Sequence, residues 1–237
     1  VLAPLAVAAS LAAGLGWRAG YLAIPLLALA AMAWPAWRLA LPNAPESALN
    51  RPAGDATPIL GRWVDLVVAV SVEFCFVFWA ASAFIAWDRA SLSQAPAVAA
   101  LFLVGMAIAR TMSARMIAQI PDPRALILAC VACAGVGFAL FWAAPVLVLG
   151  AVGLFVAGLG VALLYPTTVS RVIAAWPHAP DRAAARAALG SGLAIGLAPF
   201  LLAQMSDRIG LRAAFLIVPA LLVMLAIRGG GAYSAPR

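Results

Sequence analysis

The sequence contains no lysine and a single histidine, and charged residues account for only 10% of its 237 positions. Without lysine, a retinal Schiff base and a lysine nucleophile are both excluded. The scarcity of charge also excludes an ordinary soluble domain, in which roughly 25% of the residues would be charged. Hydrophobic residues make up 66% of the chain. This composition indicates a membrane protein, whose basic unit is the apolar stretch of about 20 residues that crosses a bilayer as a helix.

Cysteine is also scarce, and all three cysteines lie inside apolar stretches. Cys130 and Cys133 have the spacing of a metal or redox pair, but the sequence offers no second pair of ligands. We therefore expect the cysteines to pack as small hydrophobic residues, with no metal and no cofactor. The phosphate-binding pattern G-x-x-x-x-G-K is missing too, which argues against ATP-driven transport by this chain.

Apolar runs alternate with short connections that contain proline, glycine or charge. In lipid, only a helix or a closed barrel satisfies every backbone polar group, and these runs are too long for barrel strands, so we predict an all-helical transmembrane bundle. The prediction is one partial span followed by seven spans, at residues 1–15, 20–41, 61–87, 97–118, 125–143, 146–170, 184–206 and 213–227. Because the chain starts without methionine, we expect a further N-terminal part of the natural protein to precede it.

The longest connection covers residues 42–60 and contains four prolines, two acids and an arginine. This composition is typical of a solvated linker rather than a span. We expect residues 1–41 to be the end of one six-helix half and residues 61–228 to form a second half. Residues 229–237 then form a tail on the same side of the membrane as the linker.

The net charge of +7 would suit a nucleic-acid partner if the basic residues formed a stripe, but the 15 arginines stand singly between apolar runs. In the predicted topology, eleven arginines fall on the side of the linker. The other side has four: Arg18, Arg89, Arg208 and Arg212. By the positive-inside rule, the linker side is cytoplasmic. We therefore expect a multi-pass protein of the inner (plasma) membrane, with the lipid bilayer and not nucleic acid as its partner.

Two segments of ten residues are nearly the same. GWRAGYLAIP at 16–25 and GLRAAFLIVP at 210–219 share five identical positions, and three more positions pair Gly with Ala, Tyr with Phe and Ile with Val. Six predicted spans separate them, an even number, so both copies lie on one face of the membrane and run in the same direction. This pattern is typical of a parallel repeat about an axis along the membrane normal.

This arrangement resembles the major facilitator superfamily, the secondary transporters built from two six-helix halves. The resemblance rests on the two decapeptides, on the linker and on ALGSGLAIGLAPFLLAQMSDRIGLRAAFLIVP at 188–219, which is similar to the eleventh and twelfth helices of that family. GLGVALLYPTTVS at 158–170 is similar to a stretch of the fucose-permease-like branch. One departure concerns the loop signature GMAIARTMSARM at 105–116, where Ala109 stands in place of the family's acid.

The resemblance implies a transporter that moves a small solute by alternating access, coupled to protons, with an N-terminal half as its missing partner. The alternative is a non-transporting scaffold or receptor on the same fold. A membrane-embedded enzyme is a third possibility, but His178 and Asp181 share a loop without a nucleophile motif or metal-ligand spacing. We therefore expect no catalytic activity.

Glu73 is the first candidate for a functional residue. It lies twelve residues after Gly61 and fourteen before Trp87, which places it about 18 Å along its predicted helix and near the membrane midplane. A carboxylate there costs roughly 2.5 to 3.5 kcal/mol and usually faces a partner or a water-filled cavity. Glu73 either carries a proton or accepts hydrogen bonds from a solute, or it is a structural carboxyl group bonded to a neighbouring helix.

Five further residues are candidates for the wall or gate of a transport path. Trp79 is a candidate aromatic wall residue, with lipid contact or packing as the alternative. Arg110 and Arg115 approach the end of their span, where they either contact lipid headgroups or form an inner gate, and Thr111 and Ser113 can share either role. Tyr165 precedes Pro166 within a span, and a proline inside a helix frees a carbonyl and favours a kink that suits a gate.

Glycines predict where helix backbones approach closely. Gly192 and Gly196 have the spacing of a helix-packing motif, and a second set lies within the span at 146–170: Gly150, Gly153, Gly158 and Gly160. Small residues at these positions allow neighbouring helices to pack against one another in a membrane.

Overall fold

The computed structural model of the chain describes residues 59–176 and 179–229, together with isolated positions between 10 and 26. The predicted spans 1–15 and 20–41, the linker up to residue 58 and the tail from residue 230 lie wholly or mostly outside the described residues. So does His178.

The described residues are helical, with no strand among them, which confirms the predicted all-α class for this part of the chain. The helices are α1 (Ile59–Ala86), α2 (Ala95–Thr111), α3 (Ser113–Gln119), α4 (Pro123–Ala143), α5 (Leu147–Val161), α6 (Leu164–Ala174), α7 (Pro180–Ile209), α8 (Leu211–Ala214) and α9 (Ile217–Gly229).

Five stretches of this bundle are long and apolar enough to cross a membrane: Leu60–Ala86, Pro123–Ala143, Leu147–Ala174, Pro180–Ile209 and Leu211–Gly229. Helices α2 and α3 pass the same test only when taken together, and they are bent by 61°. The prediction of one continuous span at 97–118 is therefore wrong. At the break, the Thr111 hydroxyl donates to the Ile108 carbonyl (2.7 Å) and Met112 leaves the helical conformation.

The connections between helices define two ends of the bundle. One end, called the tryptophan end, contains residues 87–94, 144–146 and Gly210. The other end, called the cavity end, contains residues 120–122, 175–176 and 179 together with the first residue of α1 and the last residue of α9. Successive spans thus run in alternating directions between the two ends.

The half of the bundle toward the tryptophan end is packed with aromatic rings. Phe76 of α1 stacks on Phe102 of α2 with ring centroids 5.0 Å apart. Phe141 of α4 lies 5.3 Å from Phe84, 5.1 Å from Trp87 and 5.5 Å from Phe215, and it is completely buried. Four spans therefore share one aromatic core.

Arginines and tryptophans close this end. Arg89 donates to the carbonyls of Phe141 (2.9 Å) and Trp142 (3.3 Å), and its guanidinium lies 4.9 Å from the Trp87 ring. Trp142 donates from its indole to the carbonyl of Arg212 (2.9 Å), whose guanidinium lies over the Trp142 ring. Partial burial, and secondarily the charge of Arg212, lowers the pKa of Arg89 from its ordinary value. These contacts fasten the connection after α1 and the start of α8 to the end of α4.

Close backbone contact follows the glycines of α5. An added Cβ at Gly153 or Gly160 would collide with the backbone of α4, and one at Gly158 would collide with the carbonyl of Phe102 in α2. The packing prediction is confirmed for these three glycines. For Gly192 and Gly196 it stays a prediction, because that face of α7 has no other described atom within 4 Å of a Cβ added at either position.

The two similar decapeptides begin with glycines that both have a positive φ. Gly16 has φ = 76° and Gly210 has φ = 81°, a region that residues with a side chain rarely adopt. Gly210 ends α7 and starts the turn into α8. The positive φ shared by Gly16 and Gly210 gives a physical reason for glycine at the first position of both copies.

Candidate functional site

A cavity of about 670 Å³ opens in the half of the bundle toward the cavity end. It lies between α1, the break from α2 to α3, the start of α4, α6 and α7. Its polar and charged lining residues are Glu73, Arg110, Ser113, Tyr165, Thr167, Ser170 and Ser191. Apolar lining residues include Val70, Phe74, Ile117, Leu126, Leu163 and Ile195. A solute-sized space thus extends from the middle of α1 to the connection at residues 120–122.

Glu73 and Arg110 reach the same depth in the bundle from two helices that are joined at the tryptophan end. Glu73 is thirteen residues from the end of α1 and Arg110 is fifteen residues from the start of α2. At 1.5 Å per residue, both lie about 20 Å from that end. The break after Thr111 therefore stops α2 inside the bundle, so that Arg110 lies well short of the cavity end.

The two side chains form an ion pair in the cavity wall. The distance from Arg110 Nη2 to Glu73 Oε1 is 3.6 Å, and the exposed fractions of the two side chains are 48% and 15%. A carboxylate this deeply buried requires a partner, because an uncompensated buried charge is costly. Arg110 supplies that partner, while about half of its own side chain remains open.

A proline in another helix supplies a second contact for Arg110. Pro166 has no N–H group and therefore cannot bond the carbonyl four residues earlier, which belongs to Ala162. The helix is interrupted there, between Val161 and Leu164. Arg110 Nε donates to the freed Ala162 carbonyl at 3.4 Å. The helix interruption beside Pro166 and the arginine predicted for a gate thus meet at one point, and the kink itself stays a prediction.

The structure brings four of the six predicted site residues together: Glu73, Arg110, Tyr165 and Pro166 all line the cavity. The other two lie elsewhere. Trp79 is not among the lining residues, and its indole donates to the carbonyl of Pro199 in α7 (3.1 Å). Arg115 is exposed on α3, away from the lining. Their predicted roles remain predictions.

Three hydroxyl groups of the lining were not singled out from the sequence. Thr167 and Ser170 follow Pro166 at helical spacing on the same face of α6, a signal that the Tyr-Pro-Thr stretch already contained. Ser170 donates to the Thr167 carbonyl and Ser191 to the Ala187 carbonyl, both at 2.9 Å. Each of these two hydroxyl oxygens therefore keeps its capacity to accept a hydrogen bond.

A second charged cluster lies at the cavity end, outside the cavity lining. Arg228 of α9 donates to Asp65 of α1 (2.9 Å) and to the carbonyl of Gly61 (2.9 Å). Nearby, Trp63 donates to the carbonyl of Arg186 at 2.9 Å. The start of α1 is thereby bonded to both α7 and α9.

Among residues 59–176 and 179–229, no three His, Cys, Asp or Glu side chains lie close enough to hold a metal ion. Comparisons with protein-family models, with curated proteins and with solved structures find no match to this chain.

Proposed function

We propose that this chain belongs to a secondary active transporter of the major facilitator type, which moves a small solute across the inner membrane by alternating access and couples this movement to protons. The observation that carries the proposal is the ion pair of Glu73 and Arg110 in the wall of a cavity, halfway along the spans. Intramembrane ionisable residues that face a cavity mark the paths of solutes and protons in membrane proteins.

Each element of the cavity has a role in this mechanism. Glu73 takes up and releases the proton. Arg110 holds the Glu73 carboxylate in place while it is ionised. The interruption at Ala162, next to Tyr165 and Pro166, is the hinge at which the gate moves. The contact from Arg110 to the Ala162 carbonyl joins the charge pair to that hinge, so a change in Glu73 reaches the gate through one side chain.

The arginines favour an orientation with the cavity end in the cytoplasm. In residues 59–176 and 179–229, seven arginines lie near that end: Arg62, Arg115, Arg124, Arg171, Arg182, Arg186 and Arg228. Three lie near the tryptophan end: Arg89, Arg208 and Arg212. By the positive-inside rule the cavity opens toward the cytoplasm.

The test is a substitution of the coupling carboxyl group in proteoliposomes. Glu73→Gln keeps the size of the side chain and removes its proton-binding capacity, and Asp207→Asn on the exposed end of α7 is the matched control. A panel of sugars and organic acids is added, and a pH-sensitive dye in the lumen reports proton movement. We expect solute-driven proton flux with the wild type and with Asp207→Asn, and none with Glu73→Gln.

Two results would contradict the proposal. Unchanged proton flux with Glu73→Gln would remove Glu73 from the coupling mechanism. Binding of a solute without any flux of solute or proton would favour the receptor or scaffold on the same fold.

A further inference from the structure

The donors of the cavity outnumber its carboxylates, and the most open of the charged groups is a guanidinium. From this we infer that the cavity binds a small organic anion, whose carboxylate or similar acid group binds Arg110 beside Glu73. The inference rests on the proposed transport function and names the class of its solute.

Most N–H donors of the Arg110 guanidinium have no hydrogen-bond partner among the described residues. A guanidinium has five N–H donors in a planar fork. Nε donates to the Ala162 carbonyl, and Nη2 lies 3.6 Å from Glu73, beyond hydrogen-bond distance. The remaining donors have no partner in the part of the chain that the structure describes. With 48% of the side chain exposed, the fork can accept a second carboxylate in the bidentate geometry that arginine favours.

The hydroxyl groups of the lining extend this donor surface. Ser113, Tyr165 and Thr167 line the cavity, and their hydroxyls donate to no other group within residues 59–176 and 179–229. Glu73 is the one carboxylate among the described lining residues. A solute rich in acceptors therefore satisfies more of this surface than a solute rich in donors.

The same charges disfavour a cation or a neutral solute. A cation would have to bind Glu73, which is 15% exposed and already faces Arg110, and the guanidinium would repel it. A neutral solute would gain less from Arg110, because it has no carboxylate for the bidentate pairing with a guanidinium, in which both partners are charged. An anion uses the group that the cavity leaves open.

Binding of an anion also links the solute to the proton. One guanidinium then faces two negative groups, Glu73 and the solute, and protonation of Glu73 relieves their repulsion. Solute and proton enter the cavity together. The net charge of the site therefore stays the same, because one negative group and one proton are added. Such joint binding of one anion and one proton is what a proton-coupled transporter of an anion requires.

The experiment measures equilibrium binding to the full chain in nanodiscs by titration calorimetry. The first probe pair is galacturonate and galactose, which differ in charge on one pyranose ring. The second set is 3-phenylpropionate, its amide and 3-phenylpropylammonium. The variants are Arg110→Gln and, as a matched control, Arg208→Gln at the exposed end of α7. Circular dichroism verifies that each variant is folded.

We expect at least one anion to bind more tightly than its neutral partner. Arg110→Gln is expected to weaken that binding roughly ten- to hundredfold, the loss of a charge-assisted hydrogen-bond pair, and Arg208→Gln is expected to leave it unchanged. Tighter binding of the neutral or cationic member, no binding of either anion, or equal anion binding by folded Arg110→Gln would each overturn the inference.

The outcomes separate this inference from the transport proposal. Anion binding that depends on Arg110 without flux in proteoliposomes would leave the anion site standing and overturn transport. Proton-coupled flux of a neutral or cationic solute would leave transport standing and overturn the anion site.

Discussion

At the two ends of the bundle, the charges of the arginines are compensated by different kinds of partner. At the tryptophan end, Arg89 and Arg212 bond to backbone carbonyls and lie over indole rings, so their charges need no acid. At the cavity end and in the cavity wall, arginines pair with acids: Arg228 with Asp65, and Arg110 with Glu73. Contacts with carbonyls and rings do not depend on protonation of a partner, whereas ion pairs with carboxylates do.

This difference indicates which half of the bundle keeps one packing arrangement and which half can adopt another. Close packing and backbone contacts hold the tryptophan end in one arrangement, because a packed core resists small displacements. The opposite half contains open volume, a helix break and two ion pairs. Protonation of an acid can rearrange this half without disturbing the aromatic core.

The largest expected effect comes from two phenylalanines that lie two residues apart in α1, on different faces of the helix. Phe76 is 1% exposed and packs against four phenylalanine rings, whereas Phe74 lines the cavity. Phe76→Ala should lower the free energy of unfolding by about 3 kcal/mol, because the vacated volume cannot collapse. Phe74→Ala should cost less than half as much. Reversible unfolding in mixed micelles measures both. Equal losses would show that the two ends are packed alike.

A smaller effect is expected from an added methyl group between helices. Gly158→Ala places a Cβ against the carbonyl of Phe102, within the aromatic half, and should cost about 2 kcal/mol because a helix must shift. Gly196→Ala on the open face of α7 is the control, and it should be neutral or slightly stabilising. Thermal unfolding in detergent ranks the two variants. A destabilised Gly196→Ala would mean that this face is covered.

The smallest expected effect is the difference, about 1 kcal/mol, between the losses of unfolding free energy for the two kinds of arginine. Arg228→Gln leaves Asp65, whose side chain is 7% exposed, without its cation and should cost about 2 kcal/mol at neutral pH. Arg89→Gln removes hydrogen bonds to carbonyls and should cost about 1 kcal/mol.

The control for the pair at the cavity end is the double variant Asp65→Asn with Arg228→Gln. It should recover part of the loss caused by Arg228→Gln, because no unpaired carboxylate remains. An additive loss would show that the two side chains are not coupled.

Most helix positions could be predicted because local signals determine them. The predicted span at 125–143 begins two residues after the observed start of α4, where Asp122 accepts hydrogen bonds from the N–H groups of Arg124 and Ala125. The predicted span at 61–87 likewise agrees with α1 to within two residues. Apolar length, proline and a capping acid are all visible in the sequence.

The break at Met112 could not be predicted, because no proline or glycine marks it and its neighbours Thr111 and Ser113 disfavour a helix only weakly. The site was predicted in part. Glu73 was found from its depth in an apolar run, and Pro166 from its chemistry, but their meeting with Arg110 depends on contacts between segments about 40 to 50 residues apart in sequence. The bond from Arg228 to Asp65 joins residues 163 positions apart, a separation that no local pattern encodes.

The early end of α2 gives Arg110 a further property. Its side chain belongs to the last turn, where carbonyl groups lack helical partners and together carry about half a negative charge. Glu73, in the middle of an unbroken helix, has no comparable support from the backbone. In the proposed mechanism, Arg110 is therefore the constant charge of the pair and Glu73 the variable one, so a single carboxyl group would distinguish the two states of the transporter.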